Sequence, residues 1–544
     1  MRRMNCLLFV FFLMLSGVAQ AADPAIDAAG AAGLKKQVDD SLQWRLDMTK
    51  VFGQGLTMEG QPDVIAKGGF YEVQLPHLAI LFGPQGKLDI GPVILNVVPG
   101  SQPGAWLIQQ ATLPPEMTFY DAKNVLQTHI SIGTQRFSGT WLPEKAMYPK
   151  MDSLVQNIKI TGADKDAPSA KISALKILGD LKGNSDGTWS GPLDLEASGI
   201  TVDVPGQNPV AITIDKISSH NTYDRLDTSE ALKMKAIAQK SLKEGLPQTP
   251  KEKQAFMAKL LAQSPLSADS MSGMMEVDKF TMHDTGAGPQ QPRRDMAFDR
   301  LLMGGASTDG QKDKSKVLVK VAFDGLRVSS VPAAFQDMMP HALNAEITVD
   351  NLPVKVMMGQ FLDVVRKSTA AAADKTDAAA QAEAKAEVSA AGALLPKMMQ
   401  DAGASITVQN TYMKSDSIEA SLKGKIDANA NSALGITGKA YLTFKGLDEA
   451  IEKMQGSAMK PGSDPHTLGY LMGLMTVQTK GAPDKAADGK SLRNYGFEVK
   501  QNGDLLLNGA LLSTRGAPGQ STAPTPVMPH SHPMIPAPAP TQQP

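Results

Sequence analysis

Four short stretches of this chain carry residue types that could do chemistry. Asp284-Thr285-Gly286-Ala287 spells the triplet that presents a catalytic carboxylate in aspartic proteases. That chemistry needs two carboxylates sharing a proton, from a second triplet or from a homodimer. No second triplet exists, and Thr281-Met282-His283 is not the usual apolar lead-in, so a glycine turn after a strand is the stronger reading. Ser173-Ala174-Leu175-Lys176 has the Ser-x-x-Lys spacing of penicillin-binding enzymes. There a helix brings the lysine beside the serine. Here the neighbours alternate as in a strand, and no Lys-Thr-Gly accompanies them. Asp427-Ala428-Asn429-Ala430-Asn431-Ser432 opens like a calcium loop, but Ser432 stands where the sharp turn needs glycine and Gly438 where glutamate should be.

The fourth stretch is Met528-Pro529-His530-Ser531-His532-Pro533-Met534. Imidazole and thioether together suit copper, which makes Met528, His530, His532 and Met534 the candidate metal ligands. The competing reading is a proline-rich tail in which ordering two histidines costs entropy and no site is preformed. No phosphate-binding glycine loop and no His-Glu-x-x-His occurs. The expectation is a non-enzymatic protein without a resident cofactor.

The 29 methionines suggest a second kind of site. They cluster as Met274-Met275, Met338-Met339, Met357-Met358, Met398-Met399 and Met472 with Met475. Methionine fills adaptable apolar surfaces. On helices flanking a sheet, Met357, Met358, Met472 and Met475 would line an apolar ligand groove. The plainer alternative is ordinary core filling.

The first 21 residues set the compartment. Arg2 and Arg3 precede an unbroken apolar run from Cys6 to Leu15, and Ala19-Gln20-Ala21 supplies small residues at the cleavage position. This reads as a cleaved secretory signal peptide. The run is shorter than the roughly 20 residues a bilayer span needs, so no transmembrane anchor is expected after cleavage. Cleavage takes two arginines from 54 basic residues, leaving 52 against 55 acidic ones and a formal charge of −3. That balance argues against nucleic-acid partners. It also removes the only cysteine, which excludes disulfides and thiolate metal sites. The expected location is the periplasm.

The elements that must position any site are mostly strands. Residues 22–57 read as a spacer and a short helix with Leu34, Val38, Leu42 and Leu46 on one stripe. From 58 to 225, alternating runs are punctuated by turn residues as an antiparallel meander requires. The clearest hairpin is Lys171 to Leu181, a turn at 183–187, and Thr188 to Val204. Residues 226–310 read as a helical interruption and polar loop. There Thr228 or Ser229 starts a helix that Gly245 ends, and Thr249-Pro250-Lys251-Glu252 is a capping box. Residues 311–515 form a second β-rich half, with an Ala-rich helical segment at 368–393. Two strand–corner–helix units, at Ala345 and Ala440, form a weak repeat. Residues 516–544, with nine prolines, read as a disordered tail. The fold class is α+β and β-rich: long twisted antiparallel sheet with a few flanking amphipathic helices.

Several phrases carry a family resemblance. They are Gly69-Phe70-Tyr71-Glu72-Val73-Gln74-Leu75-Pro76-His77-Leu78, then Ile130-Ser131-Ile132-Gly133-Thr134-Gln135-Arg136-Phe137, and the closing Tyr495-Gly496-Phe497-Glu498-Val499-Lys500-Gln501-Asn502-Gly503-Asp504. On these the chain resembles uncharacterised YdgA-like periplasmic proteins of Gram-negative bacteria, and more distantly AsmA-like envelope proteins. The resemblance implies a long curved sheet with an apolar trough and brings no catalytic residues. The leading expectation is an envelope protein that binds lipid or another apolar envelope component on a sheet face. The alternatives are a structural module that docks envelope proteins, and copper binding by the tail. A continuously apolar sheet face left uncovered by the protein's own helices would separate the first from the second.

Overall fold

The computed structural model describes residues 26–513 apart from 146, 165, 207–208, 246, 250–251, 254–255, 257–267, 285–293, 310–312, 332, 355, 358, 361–385, 387–388, 390–393 and 459–464. The first element of the described residues is helix α1 (Ala28–Phe52). The Asp27 side chain accepts from the Gly30 N–H at 2.8 Å, and Gly53 ends the helix in the left-handed region. Leu34, Val38 and Leu42 are fully buried on one stripe, as their spacing predicts, against the first strands.

Those strands are β1 (Gln54–Glu59), β2 (Asp63–Ala66), β3 (Tyr71–Phe82), β4 (Lys87–Pro99), β5 (Trp106–Thr112), β6 (Glu116–Tyr120), β7 (Leu126–Ser131), β8 (Thr134–Leu142) and β9 (Met147–Gly162). Both β1 and β2 pair with β3, and β4 carries β5 and β6 end to end. These lead through β8 and β7 onto the long β9. From here the order is almost the order of sequence. The middle strands are β10 (Ser169–Asp180), β11 (Lys182–Gly183), β12 (Trp189–Val204), β13 (Val210–Leu226), β14 (Ser270–Asp284) and β15 (Arg294–Thr308). The C-terminal ones are β16 (Ser315–Asp324), β17 (Arg327–Val328), β18 (Ala342–Leu352), β19 (Ser405–Lys414), β20 (Glu419–Ala428), β21 (Ile436–Lys445), β22 (Ala482–Lys485), β23 (Ser491–Val499), β24 (Leu505–Leu507) and β25 (Ala510–Ser513). Each pairs antiparallel with its neighbour, giving one continuous sheet. Helix α2 (Ser229–Glu244) packs on α1; α3 (Leu447–Ala458) and α4 (Pro465–Lys480) pack on each other near β23.

Two boundaries differ from the sequence reading. Strand structure begins at Gln54, since β1 closes the edge of β3. More important, the segment read as a helical interruption and loop contains β14 and β15, which pair in long register at the centre of the sheet. The β-rich halves are therefore one sheet. Both strands are rich in Met and Gly, which lack the β-branched signature of strands, and this hid them.

A crease crosses six strands of this sheet. Along β9, β10, β12, β13, β14 and β15 the pairing skips one residue each, at Asn157, Ser173, Gly199, Asp215, Lys279 and Asp299. Asn157, Gly199 and Lys279 have positive φ. The alternation slips by one at each position. Val155 and Ile158, Leu175 and Ile172, Ala197 and Ile200, and Val277 and Phe280 thus stay on one face. The extra residue on the other face makes that face the longer one and bends the strands. At Gly199 (φ 58°) an added Cβ would lie 2.7 Å from the Cβ of Ser173. Gly199→Val, forcing a β-branched residue into the left-handed region against that contact, is expected to cost about 3 kcal/mol. Gly199→Asn should cost clearly less, because asparagine tolerates this conformation. Urea denaturation of both variants checks the order.

Candidate functional site

The candidate site is the face of the sheet to which these apolar residues point. Cross-strand partners share a face, so the register defines rows running across the strands. One row runs Val277, Leu301, Phe323, Leu343, Met413, Ala420. The next runs Met275, Met303, Val321, Ala345. A third holds Gly305, Val319, Ile347, Val408, Gly424, Ala440. The opposite face alternates charge instead. Lys216 meets Asp278 at 3.1 Å, Arg300 meets Glu276 at 2.5 Å, and Lys316 meets Asp350 at 3.6 Å. These exposed pairs contribute little stability each, but they make the two faces unlike.

Burial changes along the apolar face. At the N-terminal end it is the core of the protein. Tyr71, Trp106 and Trp141 are buried there, with Tyr71 edge-on to Trp106 at 5.9 Å. The Trp106 Nε1–H donates to Gln37 Oε1 of α1 at 2.6 Å, which satisfies both buried groups. Burial persists through Ile172 and Ile214 to Phe280, which stacks on Phe298 at 4.8 Å. Beyond β14 it weakens: Met303 is 39% exposed, Val319 46% and Ile347 39%, and burial returns at Ala420 of β20. Helix α1 packs on β1–β3, and α3 packs on α4 and β23, so among the described residues these helices flank the open stretch. From β14 to β20 lie five inter-strand steps, about 24 Å at roughly 4.8 Å each.

The far end is closed by α3 and α4. Leu447, Ile451, Met454 and Leu471 are buried against Phe444 and Phe335. Tyr495 stands edge-on to Phe444 at 5.7 Å and donates its hydroxyl to the Val477 carbonyl at 2.8 Å. Arg493 grips both carboxylate oxygens of Asp448 at the start of α3, and this hydrogen bonding holds the Asp448 pKa below its ordinary value. A depressed carboxylate pKa stabilises the fold above the unfolded pKa, and that contribution is lost as pH falls through the folded one. Asp448→Asn is therefore expected to cost about 2 kcal/mol at pH 7. The difference from wild type should narrow between pH 7 and pH 3, and vanish only below the lowered pKa of the folded state, where both side chains are neutral. Denaturation midpoints at the two pH values read this directly.

The residues singled out from sequence are scattered by the fold. Met472, 63% exposed, and Met475, 39% exposed, lie on α4 beside the equally exposed Leu468 and Tyr470. Met357 is half-buried just after β18. Strand direction puts that end of β18 beside Ser405 and Asp427, the rim opposite to Lys445 and α3. The two methionine groups are thus at opposite rims and do not form one groove. Met358 and the tail residues Met528, His530, His532 and Met534 lie outside the described residues. Met274 and Met275 fall in a strand, not a helix, and Met275 points to the open face. Ser173 and Lys176 lie in β10, Ser173 Oγ donating to the Gly199 carbonyl at 3.3 Å. Asp427 is the last but one residue of β20, before a turn in which Asn429 Oδ1 accepts from the Asn431 N–H. Among the described residues, no group of three or more His, Cys, Asp or Glu could hold a metal, and no helix is long and apolar enough to cross a membrane.

The residues that matter most for the open face, Met303, Val319 and Ile347, were not singled out from sequence. The signal was present as alternation in 315–323 and 343–349, but alternation does not say which face stays uncovered. No protein-family model, curated protein or solved structure matches the chain.

Proposed function

We propose that this chain is an exported, non-enzymatic envelope protein that holds lipid, or another apolar envelope component, along the open face between β14 and β20. The observation that carries the reading is the half-exposed apolar patch made by Met275 and Met303 in one row and Val319 and Ile347 in the next, flanked by helices and opposite a charged face. A contiguous apolar surface of this kind marks a binding site in a soluble protein. The bilayer core is about 30 Å thick, so one acyl chain extends about 15 Å, and the open stretch accommodates it. The signal-like N-terminus and the resemblance to YdgA-like and AsmA-like proteins support the same reading. The methionines on the track suit a ligand of variable shape.

The test is native mass spectrometry of the mature protein purified gently from the periplasm, followed by lipid extraction. Co-purifying lipid in stoichiometric amount is expected. A lipid-free mass, together with no uptake from added vesicles of phosphatidylethanolamine and phosphatidylglycerol, would overturn the reading in favour of a module that docks other envelope proteins.

A further inference from the structure

Where α1 meets the start of β9, the structure contains a group of buried donors with nothing to donate to. We propose that this junction is a binding site for a phosphate-class anion, held by Arg45, Tyr148, Trp44 and Ser41. The guanidinium Nη1 of Arg45, the Tyr148 hydroxyl, the Trp44 Nε1 and the Ser41 hydroxyl are all shielded from solvent and have no hydrogen-bond partner. Ser41, Trp44 and Arg45 are three and four residues apart on α1, so they share one helix face. Arg45 lies over the Trp44 ring, 5.5 Å from its centroid. Tyr148 comes from the first residues of β9, across the junction.

The chemistry of these atoms is one-sided. An indole N–H and a guanidinium can only donate, and both hydroxyls have a proton to give. Buried donors left without acceptors are costly, which is why native cores contain few. An acceptor with several oxygens and negative charge would satisfy all of them at once. The charge balance agrees. Lys235 of α2, almost fully buried, is pushed down to about 8 by burial first and by the charge of Arg45 second. Burial likewise lowers Arg45 and raises the Tyr148 hydroxyl. The carboxylate acting on Lys235 is that of Asp40, which is exposed. A desolvated guanidinium is what a phosphate group would neutralise, with charge-assisted hydrogen bonds.

The site stands apart from the open-face reading. Its anion is either free phosphate or the phosphate of a lipid headgroup, and the probes separate them. Binding of inorganic phosphate, and separately of dihexanoyl phosphatidylglycerol, is measured on the full mature chain by calorimetry and by the shift in melting temperature, with chloride as the control. Tyr148→Phe removes one donor and keeps the shape, Trp44→Phe removes one donor together with the five-membered ring, and Arg45→Met removes the charge. Each Phe variant is expected to weaken binding of the effective probe by roughly ten-fold, and Arg45→Met to abolish it. Without anion, Tyr148→Phe should melt at or above the wild-type temperature, since it deletes an unsatisfied buried donor at unchanged shape. Response to both probes assigns the phosphate group itself, and response to the lipid alone assigns a headgroup. Failure of the wild type to bind either at millimolar concentration, or equal binding by the variants, would overturn the proposal.

Discussion

Val319→Asp combined with Ile347→Asp is expected to abolish lipid binding while leaving the protein folded. These side chains are direct cross-strand partners on β16 and β18, and each is about two-fifths exposed. Aspartates there reach solvent, so neither carboxylate is buried unpaired and the fold keeps its core. For a bound acyl chain the same change is severe, because ionised carboxylates would have to lose their water against hydrocarbon. Loss of at least roughly a hundred-fold in affinity, some 3 kcal/mol, is the expected size. The control is Lys320→Asp, on the charged face of β16 next to Val319, which should leave binding unchanged. Displacement of a fluorescent fatty acid reads both affinities, and circular dichroism confirms the sheet. Retained binding in the double variant would mean that the ligand lies elsewhere.

The largest stability effect belongs to the opposite end of the same face. Trp141→Ala is expected to cost about 3 to 5 kcal/mol, as for other buried aromatic truncations. Trp141 is almost fully buried and pairs across the ladder with Trp106, which in turn contacts Tyr71 and Gln37. Its loss leaves a cavity between sheet and α1. Met303→Ala removes a side chain of the same face, yet should cost under about 1 kcal/mol, because that side chain is half in water and has little burial to lose. The contrast separates core from track. Equal costs at the two positions would mean that something covers Met303 in the folded protein and that the face is not open.

Much of the architecture was legible from residues near one another in sequence. The hairpin from Lys171 to Val204 forms as β10 and β12, with Gly187 at positive φ in its turn. The capping box is real: Thr249 N–H donates to Glu252 Oε2 at 3.0 Å, and Glu252 N–H to Thr249 Oγ1 at 3.2 Å. The unit from Ile436 through Gly446 into α3 also folds as its strand, corner and helix pattern predicts. Such features depend on local backbone chemistry. β14 and β15 were missed because Met and Gly are weak strand formers, and their long register is dictated by partners on both sides. The crease was missed because a slip of alternation reads as irregularity in any one strand. Only the six strands aligned, with the i, i+3 spacing of Ile172 and Leu175 or Val277 and Phe280 in register, show its purpose. The open face was unreadable for a different reason. Apolar residues that face a core and apolar residues that face a ligand have the same pattern in sequence.

The most direct measurement is photo-crosslinking with a phospholipid carrying a diazirine near the end of one acyl chain, applied to the mature protein in periplasmic extract and mapped by peptide mass spectrometry. Adducts on Met275, Met303, Val319 and Ile347 are the expected result. Adducts confined to Leu468, Tyr470 and Met472 of α4, or none above the level of a control soluble protein, would contradict the claim that the open sheet face holds the lipid.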